Sequence, residues 1–195
     1  MMNWRVGVWT VAGLTCATWY GVEAAWMARR RGSGSRPLAS ERRSTLVLLG
    51  MGVLGEAGAV ALAWRRPTVP LVGDRTTAAL VALPAVWAGL AVRWWAVRTL
   101  GTHFRATIDV RDDQPVIRTG PYRYVRHPSY TGGLLAVAGA ATVLNDVPAW
   151  LVLTGSTLAA LLYRIHTEDT ILIHHLGPDY TDYAATTPRL IPRVW

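Results

Sequence analysis

The sequence contains no lysine: all 20 of its basic residues are arginine, set against 12 acidic ones for a formal charge of +8. Only 16% of the 195 residues are charged while 51% are hydrophobic, a balance outside the ordinary soluble range. A single cysteine, Cys16, excludes an intramolecular disulfide framework and a cysteine-based zinc site. A Gly-rich phosphate loop, an H-E-x-x-H pair and an EF-hand loop are all missing, which removes common soluble enzyme classes and leaves no metal site to expect. No internal repeat is found, and the one low-complexity stretch, Gly32-Ser33-Gly34-Ser35, reads as a flexible linker.

What the chain does have is apolar length. Runs at 6–27, 44–64 and 76–97 are each long enough to cross about 30 Å of hydrocarbon. Two shorter runs, 129–144 and 148–163, are separated by Asn145-Asp146-Val147-Pro148, a turn that permits only an antiparallel helical hairpin. The expected fold is an all-α integral membrane protein with five transmembrane helices. The first run is too long and too rich in Trp for a signal peptide, and its Arg29-Arg30-Arg31 cluster follows rather than precedes it, so it is expected to stay in the mature protein.

The arginines set an orientation. Arg29, Arg30, Arg31, Arg36, Arg42 and Arg43 lie between the first two runs, and Arg98, Arg105, Arg111, Arg118, Arg123 and Arg126 follow the third. Cytoplasmic flanks carry the excess of positive charge, so both segments belong inside, with the amino terminus outside and the carboxyl terminus in the cytoplasm. Topology and anionic-lipid contact thus account for the basic balance, and no nucleic-acid partner is expected. The all-arginine set hints at a GC-rich genome, hence a bacterial cytoplasmic membrane. Residues 1–98 read as three N-terminal membrane helices; residues 99–195 read as a cytoplasmic connector, a transmembrane hairpin at 128–166 and a cytoplasmic tail. The cytoplasmic pieces are too short for a separate soluble domain, so any chemistry is built against the membrane face of the bundle.

Two polar clusters exceed what topology requires. The first is Gly120-Pro121-Tyr122-Arg123-Tyr124-Val125-Arg126-His127-Pro128-Ser129-Tyr130. Pro128 suits the first turn of a helix, which puts His127 at the cap and Tyr130 in the opening turn. An interfacial belt of aromatics and arginines would also explain Tyr122, Arg123, Tyr124 and Arg126. The second cluster is Arg164-Ile165-His166-Thr167-Glu168-Asp169, on a helix expected to continue past the membrane to Leu176 and end at Gly177-Pro178. Arg164 and Glu168 are four apart and share a face. They read either as a surface ion pair or as opposite charges holding a polar ligand at the hydrocarbon edge, where an ionisable group is costly unless used.

Arg-His-Pro-Ser-Tyr at 126–130, the short-turn hairpin, Glu168-Asp169, the run from Leu176-Gly177-Pro178 to Asp182-Tyr183, and Arg189-Leu190-Ile191-Pro192 together resemble the isoprenylcysteine carboxyl methyltransferase family, related to the phospholipid methyltransferases. The resemblance runs from Gly101 and Phe104 to the end; the first three apolar runs match only in length and character. It implies methyl transfer from S-adenosylmethionine to the carboxylate of a lipidated, prenylcysteine-like substrate, in a cytoplasmic pocket formed by the C-terminal half. Carried over residue by residue, it implies that Asp109, Gln114, Pro115, Val116, Ile117, Tyr122, His127, Pro128, Ser129, Tyr130 and Glu168 hold the cofactor. Arg164 orients the substrate, and Arg164 and Glu168 are the catalytic pair. Asp169 stands where the family usually shows a second glutamate.

The implied partners are the bilayer and a lipophilic small-molecule or lipidated substrate, with no obligate protein partner. Three alternatives stay open: methyl transfer to a lipid amine or phenol, a sterol-type reductase using NADPH, and a non-enzymatic membrane scaffold. The orientation is testable on its own: a reporter fused after Trp195 is expected to be active in the cytoplasm, and activity only outside the cell would reverse the topology.

Overall fold

The computed structural model describes residues 39–64, 69–101 and 115–195. The apolar run at 6–27, with Cys16 and Glu23, and the cofactor candidates Asp109 and Gln114 lie outside the described residues. Every regular element among the described residues is helical: α1 (Ala39–Ala63), α2 (Arg75–Leu100), a 3-10 turn (Gly120–Arg123), α3 (Pro128–Thr142) and α4 (Val147–Thr186).

Local chemistry marks the helix starts. Asp74 caps α2, accepting from Thr77 N at 2.7 Å, and Asp146 caps α4, accepting from Ala149 N at 3.0 Å. Pro128 and Pro148 sit in the opening turns of α3 and α4, where a missing N–H removes no helical bond. The turn between α3 and α4 also anchors the approach to α2. Val69 N donates to Asp146 Oδ1 at 3.0 Å, and Leu71 N and Val72 N donate to Asn145 Oδ1 at 3.1 and 3.0 Å.

α1, α2 and α4 are each long and apolar enough to cross a bilayer. Large apolar side chains on them, including Leu46, Leu54, Leu80, Trp87 and Leu151, are exposed, as expected of helices whose outer face meets lipid. The run at 129–144 forms α3, whose 15 residues rise about 22 Å, less than the roughly 30 Å of hydrocarbon. α4 is 40 residues long and is interrupted at Gly177, whose φ of 57° breaks the helix where Gly177-Pro178 predicts an end. The chain then resumes helical turns to Thr186, which the sequence reading did not anticipate. Arg164 lies about 26 Å along α4 from Val147, near the far edge of the hydrocarbon.

Small residues set the packing. α2 and α3 meet through Gly89, Gly132 and Gly139: a Cβ at Gly132 would lie 2.5 Å from Gly89 O and 2.6 Å from Arg93 N. α1 meets α4 through Gly55 against Ser156 and Gly58 against Val152. Lipid is as apolar as leucine, so close backbone approach and van der Waals contact, rather than water exclusion, hold such seams.

Gly55 is buried against α4, and Glu56 lies on the exposed side of α1. Arg93 gives Nη1 to Ser129 Oγ at 2.7 Å and to Ser129 O at 3.2 Å, tying α2 to the start of α3.

The seam generates a paired prediction within one helix. Gly132→Ala must push two backbones apart and is expected to destabilise by about 1–3 kcal/mol. At the neighbouring Gly133 the nearest atom to an added Cβ is Arg93 Nη1 at 4.0 Å, so Gly133→Ala is expected to be neutral or stabilising by up to about 1 kcal/mol. Thermal unfolding of the two variants in detergent checks the difference; equal effects would remove the close-seam account.

Candidate active site

The polar clusters at 120–130 and 164–169 converge where α4 leaves the apolar zone. α4 brings Arg164 and Glu168 onto one face, one turn apart, and α3 offers Tyr130 from its opening turn. Arg164 Nε donates to Tyr130 Oη at 3.0 Å, and Tyr130 Oη donates to Glu168 Oε2 at 2.7 Å. The phenol therefore stands between guanidinium and carboxylate, accepting from one and donating to the other. On its other side, Arg164 Nη1 donates to Ser44 Oγ at 3.1 Å and Thr45 Oγ1 at 2.8 Å, both on the second turn of α1. Arg164 is only 6% exposed.

His127 forms the cap of α3 without a side-chain capping bond, because its ring is turned inward. The ring is buried and stacks on Tyr130, with centroids 5.6 Å apart and planes inclined by 14°. Its Nε2 lies 3.0 Å from Asp169 Oδ1, while Nδ1 lies 3.9 Å from Glu168 Oε2. An ionised Asp169 can only accept, so Nε2 carries a proton toward it, and Nδ1 faces Glu168.

Asp169 is the hub of this end. Besides His127, its Oδ1 accepts from Tyr180 Oη at 2.6 Å, and its Oδ2 accepts from Arg189 Nε at 3.0 Å with Arg126 Nη2 at 3.4 Å. Glu168, by contrast, keeps 24% of its side chain exposed. Neighbours in sequence thus point into different surroundings: Asp169 is consumed by structure and Glu168 faces the opening.

Tyr122, in the 3-10 turn, is buried, and Tyr183 Oη donates to its carbonyl at 2.6 Å. Burial first, then the negative charge of Glu168, pushes the Tyr122 phenol well above its usual range, so it is a neutral donor at neutral pH. The chain from Pro188 to Leu190 lies against the start of α3: Arg126 N donates to Pro188 O at 2.8 Å, His127 N to Arg189 O at 3.0 Å, and Thr131 Oγ1 to Leu190 O at 2.7 Å.

Of the residues proposed from the sequence, Tyr122, His127, Tyr130, Arg164 and Glu168 come together. Pro128 and Ser129 are adjacent but turned into the protein, Pro128 fully buried and Ser129 occupied by Arg93. Pro115, Val116 and Ile117 form extended chain, exposed to half-buried, leading into the 3-10 turn. Sequence reasoning missed the roles of Asp169, Ser44 and Thr45. A second acid beside Glu168 was a signal for the first; the hydroxyls carried none, standing at the margin of an apolar run.

A family model described as the isoprenylcysteine carboxyl methyltransferase (ICMT) family matches residues 78–174. The protein-S-isoprenylcysteine O-methyltransferase of Xenopus laevis is 30% identical over 124 residues, 61% of this chain and 42% of that protein. A cobalt-zinc-cadmium resistance protein of Cupriavidus metallidurans is 33% identical over 89 residues, 45% of this chain and 40% of that protein. A solved structure of the eukaryotic intramembrane Ras methyltransferase ICMT, isoprenylcysteine carboxyl methyltransferase, aligns at 21% identity with a TM-score of 0.47, covering 77% of this chain and 68% of that one. The chain spans about two fifths of the length of the curated relatives it matches.

The hub is open to test without any substrate. Asp169→Ala leaves buried Arg126 and His127 without their acceptor and is expected to cost about 3–5 kcal/mol, read by denaturant unfolding in detergent. Arg189→Ala, removing a partner that is 39% exposed, is expected to cost far less. Similar costs for both would contradict a hub centred on the buried partners.

Proposed function

Because the chain belongs to the isoprenylcysteine carboxyl methyltransferase family, we propose that it transfers a methyl group from S-adenosylmethionine to the carboxylate of a prenylcysteine-like lipophilic acceptor. The observation that carries this reading is the Arg164–Tyr130–Glu168 bridge, which keeps a cation and an anion side by side at the hydrocarbon edge. The pocket belongs to the cytoplasmic face, with residues 99–195 as the methyltransferase core, 1–98 as the N-terminal membrane part, and five crossings that put the carboxyl terminus inside. A bacterial cytoplasmic membrane is the proposed location.

The residues suit the cofactor's polar end. Glu168 Oε2 and His127 Nδ1, two acceptors 3.9 Å apart, are spaced to share one ammonium group. Tyr122 and Tyr130 line the same place, Pro115, Val116 and Ile117 lead toward it, Pro128 and Ser129 stand behind it in the opening turn of α3, and the family resemblance adds Asp109 and Gln114, which lie outside the described residues. The bound cofactor supplies an electrophilic methyl on a positive sulfonium.

Arg164 takes the acceptor carboxylate by charge-assisted hydrogen bonds and aligns its oxygen for in-line displacement, the main demand of such a transfer. A carboxylic acid with a pKa of about 4 is already ionised at neutral pH, so no general base is needed. With a cofactor sulfonium beside it, the carboxylate held by Arg164 would lose its charge on methylation, a change that the buried surroundings of Arg164 would favour over separated ions. A second acceptor class is favoured by one observation, the Asp169–His127 pair: a histidine oriented through Nε2 by a carboxylate turns Nδ1 toward the site, a geometry suited to taking a proton from a lipid amine or phenol.

Purified protein with labelled S-adenosylmethionine is expected to methylate prenylcysteine analogues; transfer only to lipid extracts would favour the second class, and binding of NADPH without S-adenosylmethionine would replace the methyltransferase reading by a reductase one. The residue roles separate by calorimetry. Glu168→Gln is expected to weaken cofactor binding without acceptor by about 10- to 150-fold, the loss of one charge-assisted hydrogen bond, while Arg164→Ala leaves it nearly intact and abolishes turnover. Arg164→Lys should be nearly as damaging as Ala, since a point charge does not reproduce the planar fork. The opposite pattern would exchange the two roles.

A further inference from the structure

The geometry points to Ser44 and Thr45 of α1 as positioning residues for acceptor binding, an assignment that rests on the reading of Arg164 as the carboxylate-holding group. Both lie outside residues 78–174, the part matched by the family model, and within the N-terminal part of the chain to which the sequence assigned only membrane crossing.

The argument starts from the flexibility of arginine. Its side chain has four rotatable bonds and about 2 kcal/mol of rotamer entropy, and a guanidinium that swings freely must be ordered anew each time a substrate arrives. Arg164 is held at two separate nitrogens. Nε is fixed by Tyr130, which belongs to α3 and is itself directed by Glu168. Nη1 is fixed by Ser44 and Thr45, 120 and 119 positions earlier in the chain. Two bonds on opposite sides of a planar group determine both its tilt and its rotation, which a single bond does not.

The hydroxyls are themselves directed. Ser44 Oγ gives its proton to Glu41 O at 2.9 Å, so its lone pairs face Arg164. Ser44 is fully buried, and Glu41, 1% exposed one turn earlier, lies near enough for its charge to act on the guanidinium. An apolar α1 would cross a bilayer equally well, so membrane insertion does not call for this arrangement. It places the opening turns of α1 beside the group that orients the acceptor and makes α1 a wall of the acceptor site.

The experiment uses the full chain in detergent or vesicles. Ser44→Ala with Thr45→Val removes both acceptors while keeping size and apolar character, and each single variant and Thr45→Ser accompany it. The double variant is expected to lower kcat/KM for a prenylcysteine analogue by about tenfold or more, mostly through KM for the acceptor. Its Kd for S-adenosylmethionine is expected to stay within about twofold of the parent, and Thr45→Ser to keep most of the parent activity. Unchanged acceptor kinetics in the double variant, with normal turnover by the parent, would overturn the assignment alone. An equal loss of cofactor affinity together with a lowered unfolding temperature in the double and single variants would also overturn it, leaving a merely structural role. A parent protein that methylates no carboxylate acceptor would instead remove the reading of Arg164 on which the assignment rests, and the assignment with it.

Discussion

A guanidinium near the edge of hydrocarbon has no bulk water to satisfy its donors, so other helices must supply the acceptors. Arg164 meets that constraint with partners from α1 and α3, and the helices are thereby held at one end at fixed distances. An unpaired buried charge costs several kcal/mol, so the arrangement is enforced by the cost of its alternatives more than by the net gain of each bond. The glycine seams are the complementary device: along the α2–α3 and α1–α4 pairs, Gly89 against Gly132 and Gly55 against Ser156 let backbones come close enough for van der Waals contact to hold them.

Polarity is then divided between two adjacent acids. Asp169 answers to Arg126, His127, Tyr180 and Arg189, which makes a buried, cross-linked frame. Glu168 has one firm bond, to Tyr130, and retains exposure. The fixed frame and the partly exposed acid thus stand one residue apart, on different sides of the same helix. Rigid support beneath a partly exposed group is what preorganisation requires.

Helices and their limits were largely legible in the sequence, because the signals are local. Asp146 with Pro148, Pro128 after His127, and Gly177-Pro178 act within one turn of where they stand, and each boundary is found where those residues imply it. Arg164 and Glu168 were legible as a pair because spacing by four puts residues on one face. The unread parts are those that depend on long sequence separation. Nothing near Ser44 says that residue 164 will meet it, and the return of the chain after Gly177, which brings Tyr180 back to Asp169, depends on one glycine torsion. The apolar run at 129–144 yields an α3 of 15 residues, because an apolar run records composition and not how many residues the caps leave to the helix.

The contact between Pro188–Leu190 and the start of α3 bears on how the molecule assembles. Arg126 and Pro188 are 62 positions apart, yet the backbone donors of Arg126 and His127 find their acceptors there. The α3–α4 hairpin forms by local contacts and can be inserted early. The first turn of α3 stays incomplete until that later segment has been synthesised and has closed a loop of about 60 residues, an ordering cost that rises only slowly with length but delays the event. The frame of the site is therefore not complete in the α3–α4 hairpin alone: it needs a segment that membrane insertion of the hairpin does not itself bring into place.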